Sequence, residues 1–154
     1  MTHELAQVNV ARLVAPIDSR QLADFVALLD PVNATAEAAD GFVWRLQTEA
    51  GNATSIEAFR WNTAGSAGVI VNMSVWRDLA ALKAFIATPL HRGAMARRRD
   101  WFVRMREPYT ACWWVPAGHR PTTGDAERAV QSLRSDGPTP KAFSLAQPFP
   151  APEH

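Results

Sequence analysis

The chain has 154 residues, enough for one domain with a hydrophobic core. Its 47% hydrophobic and 20% charged content is ordinary for a globular protein, and a net charge of +1 argues against a large nucleic-acid surface. The lone cysteine, Cys112, provides neither a disulfide framework nor a thiolate metal cluster.

Residues 5–14 alternate like a β-strand, which Pro16 ends. On this strand Asn9 lies on the face opposite Val8 and Val10. A helix follows, capped by Asp18 or Ser19. Its apolar stripe comprises Leu22, Phe25, Val26 and Leu29.

Pro31 is expected to interrupt this helix. If the helix resumes, Asn33 returns to nearly the angle of Leu22, so an amide would join the buried stripe. Gly41 ends the helix, and residues 42–48 form the second strand. One face of this strand would carry Phe42, Trp44 and Leu46, and the other Val43, Arg45 and Gln47. Residues 53–60 fit a short strand and residues 61–68 a loop of small residues.

Residues 69–105 carry the most informative pattern. A β-branched and then alternating run, residues 69–76, predicts the third strand. Asp78 would cap a helix with Leu82, Phe85 and Ile86 on one side, and Pro89 bends or breaks it.

A second helical segment is predicted over residues 90–105. Its apolar sector comprises Leu90, Ala94, Met95, Trp101, Phe102 and Met105. His91 and Arg98 lie near the middle of that sector, about 10 Å apart along the helix axis. An imidazole and a guanidinium on an apolar face indicate either a ligand site or buried structural partners.

Residues 109–115 form the last strand, with Trp113 and Trp114 pointing to opposite faces. Thr122 and Asp125 have capping-box spacing before a final helix that Gly137 ends. We therefore predict one domain over residues 1–137 and a Pro-rich extended tail over residues 138–154. The aromatic residues of the tail favour packing on the domain or on a partner chain.

The order β-α-β, then β-α-β, is that of the α+β ferredoxin-like fold, or split βαβ. Helices on one side of a four-stranded sheet would leave the other face apolar and open, which predicts a homodimer. The N-terminus has no basic segment followed by an apolar one, and no apolar run could span a membrane, so we expect a cytoplasmic protein.

The motif SVWRD at residues 74–78, with AAL at 80–82 and TP at 88–89, resembles the third-strand and second-helix signature of the dimeric α/β-barrel superfamily. That superfamily includes antibiotic-biosynthesis monooxygenases and haem-degrading enzymes. The stretches LAQVNVARL, GFVWRLQTE, NMSVWRDLAAL and WWVPAGHRPT together resemble an uncharacterised bacterial domain-of-unknown-function family within it, as far as about Phe149.

The resemblance implies a ligand cavity between the helices and one face of the sheet. The monooxygenase branch often has a histidine where Phe85 stands and another beside the proline matching Pro89, whereas His91 lies one residue past the second position. The haem-degrading branch has an Asn on the first strand, which Asn9 matches, but Phe85 replaces its helix Trp and His91 comes about a turn early. Neither chemistry transfers intact.

Three residues are candidate catalytic groups. His91 would move protons, and Arg98 or Asn72 would stabilise an enolate-like oxyanion. His91 could instead be a core histidine, and Arg98 the partner of an internal carboxylate. The candidate ligand-binding residues are Asn9, Asn33, Trp44, Ser74, Trp76, Met95, Trp101, Phe102 and Trp113, although the aromatic ones could simply fill the core.

Two functions of different class follow from these residues. The first is an enzyme that acts on a hydrophobic metabolite with a carbonyl or acidic end, by cofactor-free oxygenation or proton-transfer rearrangement. The second is a non-catalytic protein that binds a ligand or haem in the same cavity. We expect a small-molecule ligand, and no metal, nucleic acid or membrane partner.

Overall fold

A four-stranded antiparallel sheet in the order β2-β3-β1-β4 forms the centre of the computed structural model, which describes residues 2–47, 59 and 66–152. This order confirms the predicted ferredoxin-like fold. The strands are β1 (His3–Arg12), β2 (Phe42–Arg45), β3 (Val69–Trp76) and β4 (Thr110–Pro116).

The helices lie on both faces of the sheet. After a 3-10 turn at Arg20–Leu22, they are α1 (Ala23–Ala38), α2 (Leu79–Ile86), α3 (Pro89–Ala96), α4 (Arg98–Trp101) and α5 (Thr123–Asp136). Helices α1 to α4 lie on one face, where they enclose a cavity, and α5 packs on the other. No helix among the described residues is long and apolar enough to cross a membrane.

Capping residues start two of these helices as predicted. Asp78 Oδ1 accepts a hydrogen bond from Ala81 N at 2.9 Å, and Thr122 and Asp125 form a reciprocal capping box. Ser19 precedes the 3-10 turn without a side-chain cap bond.

Two predictions about helix continuity were wrong. Pro31 lies inside an unbroken α1, on its exposed side, because packing of the turns before and after it outweighs one lost hydrogen bond. The segment after Pro89 is two helices and ends at Trp101. Beyond it the chain is extended and pairs with the end of β1, where Val103 N donates to Arg12 O at 2.8 Å.

The apolar face that was expected to be open is covered within the chain. Val8 and Val10 are fully buried on that face in one cluster with α5, Phe59 and Ala142. Ala6 and Val75 are fully buried there in a second cluster with Val115. The α5 residues that cover it are Ala126, Ala129, Val130 and Leu133. A homodimer stays a prediction, and the open-face argument no longer supports it.

The residues after α5 pack along the edge of β4. Phe143 is fully buried and forms a β-bridge with Cys112, and Trp114 Nε1 donates to Phe149 O at 2.9 Å. The strand predicted over residues 53–60 lies outside the described residues apart from Phe59, as does the loop over 61–68 apart from its last three residues.

Candidate functional site

A cavity of about 610 Å³ lies between the sheet and helices α1 to α4. Alternate residues of β1 and β3 form its floor, because residues two apart on a strand share a face. Gln7 lies opposite Ser74 in the β1–β3 ladder, and Asn9 lies opposite Asn72. The roof is largely apolar and includes Phe25, Leu28, Leu29, Val32, Phe85, Ile86, Ala94 and Met95.

The floor carries a hydrogen-bonded polar network. Gln7, only 8% exposed, donates through Nε2 to Asn72 Oδ1 at 2.9 Å and to Ser74 Oγ at 2.7 Å. Trp76 Nε1 also donates to Ser74 Oγ, at 2.8 Å. Because Asn72 Oδ1 is an acceptor in this network, the Asn72 amide group remains a donor for a ligand oxygen.

His91 lies at one end of an aromatic stack. The Phe85 ring stacks on Trp76 with a centroid distance of 5.1 Å, and the His91 ring meets the edge of Phe85 at 5.1 Å. Burial lowers the pKa of His91, opposed by a hydrogen bond with the Ile86 main chain, so the ring is neutral near pH 7. Its Nδ1 is buried, and no described group lies in hydrogen-bonding geometry with it.

Exposed arginines mark the rim of the cavity. Arg98, Arg99 and Arg104 all line it and are exposed to solvent. Arg98 Nη1 donates to the hydroxyl of Tyr109 at 3.1 Å. Arg98 forms no ion pair with the described residues, so the alternative of a structural carboxylate partner finds no support there.

The structure brings most of the sequence-predicted site residues to this cavity. They are His91, Arg98, Asn72, Asn9, Asn33, Ser74, Trp76, Met95, Trp101 and Phe102. Asn33 lies on the cavity wall because α1 continues through Pro31. Val26, which was predicted to belong to the apolar stripe of this helix, is 42% exposed.

Trp44 and Trp113 do not line the cavity, contrary to the prediction. A bulge after Phe42 pairs Trp44 with Val75, so Trp44 faces the α5 side while Arg45 joins the cavity floor. Trp113 lies opposite Ala6, which faces the same way as Trp44.

Sequence reasoning missed several cavity residues. Gln7 could have been found, because it alternates with Asn9 on one strand face. Arg45 was hidden by the bulge. Tyr109 and Arg104 lie just before β4, in a segment whose position depends on tertiary contacts rather than on periodicity.

The residues present do not suit a metal or haem. Among the described residues, no group of three or more His, Cys, Asp or Glu side chains could hold a metal ion. His91 is the cavity's imidazole, but the floor below it is the amide and hydroxyl row of Gln7, Asn72 and Ser74. That row suits an oxygen-bearing small molecule better than the apolar face of a porphyrin.

Several solved structures are similar to the chain. One is SnoaB, a cofactor-independent oxygenase from Streptomyces nogalater, at 16% identity over 77% of this chain and 97% of that one, with a TM-score of 0.45. Rv0793 from Mycobacterium tuberculosis is 18% identical over 77% of this chain and 99% of that one, with a TM-score of 0.44. PA3566 from Pseudomonas aeruginosa is 12% identical over 79% of this chain and 98% of that one, with a TM-score of 0.48.

No curated protein sequence matches the chain. A family model described as Domain of unknown function (DUF3291) matches residues 4–154. This match spans nearly the whole chain and confirms the resemblance found in the sequence. The chain therefore belongs to the DUF3291 family.

Proposed function

We propose that the protein is an enzyme that acts on a hydrophobic metabolite with a carbonyl or acidic end, by cofactor-free oxygenation or proton-transfer rearrangement. The observation that carries this proposal is the neutral imidazole of His91 in the same apolar cavity as a row of hydrogen-bonding floor residues. A base and an oxyanion donor in one cavity are what proton abstraction beside a carbonyl requires.

In this proposal the imidazole of His91 takes a proton from a carbon next to the substrate carbonyl. The C–H electron pair forms a carbon–carbon double bond, and the π pair of the carbonyl moves to its oxygen, which gives an enolate. In a rearrangement, the imidazolium returns the proton to another atom of the substrate. In an oxygenation, the enolate carbon instead reduces O₂, the second substrate, to a carbon-bound peroxide that the imidazolium protonates. Loss of water from this hydroperoxide, with the remaining hydrogen of that carbon, leaves one oxygen atom of O₂ as a new carbonyl and the other as water.

Asn72 is the proposed donor to the enolate oxygen. Its Oδ1 is occupied by Gln7, so its amide N–H group is available, and Gln7 is itself held by Ser74. Such a preorganised donor stabilises the developing charge without reorganising during the reaction. We assign Arg98, whose Nη1 donates to the Tyr109 hydroxyl, to anchoring the ligand.

The test measures proton abstraction without needing a known product. Wild-type protein is incubated in D₂O with a panel of 1,3-dicarbonyl and polyphenolic compounds, and deuterium uptake and O₂ consumption are followed. We expect His91→Gln to lower the rate by about 10²-fold or more. His119→Gln is the matched control, because His119 is exposed and does not line this cavity.

Equal rates in wild type and His91→Gln would contradict the catalytic role. A protein that binds these compounds without exchange or O₂ uptake would favour the alternative, a non-catalytic binding protein. A Soret band in the purified protein that His91→Ala removes would favour haem and overturn the cofactor-free chemistry.

A further inference from the structure

We infer that the ligand of this cavity is an amphipathic anion, with its charged group held by the three exposed arginines at the rim and its apolar body extending towards His91. The inference names the substrate class and rests on the proposed function for the choice of site. We call Arg98, Arg99 and Arg104 the arginine rim.

The charges that line the cavity are all of one sign. No described cavity residue is Asp or Glu, whereas four are arginines. Arg45, the fourth, pairs with Glu37 at 2.7 Å. The cavity therefore presents an uncompensated positive potential to a ligand, which attracts anions and repels cations.

The arginine rim combines a place on the cavity with the absence of an ion pair among the described residues, whereas exposed arginines without an ion pair, such as Arg20 and Arg92, also occur away from the cavity. Arg97, next to Arg98 in the chain, pairs with Asp24 and Asp100, and Arg128 pairs with Asp125 at 2.5 Å. No member of the rim forms an ion pair with any described residue. Three arginines that line one cavity without an ion pair among the described residues leave a place for a ligand anion.

Arg98 is also oriented for this task. Its Nη1 is bonded to the Tyr109 hydroxyl, which limits the guanidinium's freedom at the mouth. A guanidinium has five N–H donors, so the others remain available for a carboxylate or phosphate. A positioned arginine loses less side-chain entropy when it binds an anion than a freely moving one.

The interior sets the length and polarity of the rest of the ligand. Met95 and Phe102 line the same cavity as His91 and the arginine rim. His91 lies on α3 and Arg98 begins α4, and both line the cavity. A buried charge without a partner is costly, so the anionic group stays at the rim while an apolar chain or ring system carries the reacting carbon inward.

Two fluorescent probes that differ by one charged group test the inference. These are 8-anilinonaphthalene-1-sulfonate, an anion, and N-phenyl-1-naphthylamine, the same ring system without the sulfonate. We expect the anion to bind more tightly, and its affinity to fall as salt is added. Combined Arg98→Gln, Arg99→Gln and Arg104→Gln substitutions should weaken sulfonate binding on the order of tenfold and change neutral-probe binding less than about twofold.

The matched control replaces three arginines outside the cavity, Arg20→Gln, Arg92→Gln and Arg120→Gln. All three are exposed, and the control removes the same total charge as the rim variant. It should leave both affinities nearly unchanged. Thermal melts verify that every variant is folded.

Displacement of the sulfonate probe by dodecanoate, dodecyl phosphate and neutral dodecanol then identifies the headgroup. Displacement by dodecanoate alone would indicate a carboxylate ligand, and displacement by dodecyl phosphate alone a phosphate ester; either supports the inference.

Equal displacement by dodecanol would overturn the inference. A rim variant that loses affinity for both probes equally, or a control variant that loses as much sulfonate affinity as the rim variant, would also overturn it. Neutral-probe binding without anion preference would overturn only this inference and leave the proposed chemistry to its own test. Binding of neither probe would overturn the inference, and the deuterium-uptake assay would still decide the catalytic proposal.

Discussion

Removing the Ser74 hydroxyl should destabilise the protein because the buried indole of Trp76 loses its hydrogen-bond acceptor. Ser74 is 7% exposed and Trp76 is fully buried, and Ser74 Oγ accepts a hydrogen bond from Trp76 Nε1 at 2.8 Å. In Ser74→Ala the indole N–H loses this partner, while Gln7 keeps its bond to Asn72. Leaving a buried donor unpaired costs about 1–3 kcal/mol. For a chain of this size that corresponds to a fall in Tm of roughly 2–10 °C.

A double-mutant cycle measured by urea denaturation separates this cause from a general loss of packing. Trp76→Phe removes the N–H donor, so adding Ser74→Ala to it should cost about 1 kcal/mol less than in the wild type. Ser135→Ala, at an exposed position on α5, is the control and should stay within about 0.5 kcal/mol. Additive effects of Ser74→Ala and Trp76→Phe would refute the network.

Two further predictions concern His91 and the residues after α5. Burial lowers the pKa of His91 in the folded protein below its ordinary value of 6.5, so the unfolded chain binds the proton more readily. The contribution of this residue to stability is therefore present above pH 6.5 and is lost as the pH falls below that value. His91→Gln should flatten the fall in unfolding free energy from about pH 8 to about pH 5, and an unchanged pH profile would contradict the assigned pKa. Phe143→Ala should cost about 3–5 kcal/mol in urea denaturation because Phe143 is fully buried, with Phe143→Leu less affected. A loss below about 1 kcal/mol would show that this segment does not pack on the domain in solution.

Much of the fold could be predicted from local patterns. Alternation in β1 and β3, the cap at Asp78, the break at Pro89 and the Thr122 capping box depend on residues at most a few positions apart. Interactions between residues so close along the chain can be predicted from the sequence. The same reasoning placed His91 and Arg98 on one inward stripe, and both line the cavity.

Tertiary structure decided the features that depend on distant partners. The bulge at β2 turned Trp44 away from the cavity and Arg45 towards it, because its register is set by pairing with β3. Packing kept α1 intact through Pro31. Packing of α5 covers the sheet face expected to be open, and it brings Leu133 into one cluster with Val8 and Val10, which are over a hundred residues away in the chain. The sequence by itself determined the order of the strands and helices, the helix starts that capping residues set, and the placement of His91 and Arg98 towards the cavity. Only the tertiary structure decided which face each tryptophan occupies and which arginines lack a carboxylate, because both depend on contacts between segments that no local periodicity records.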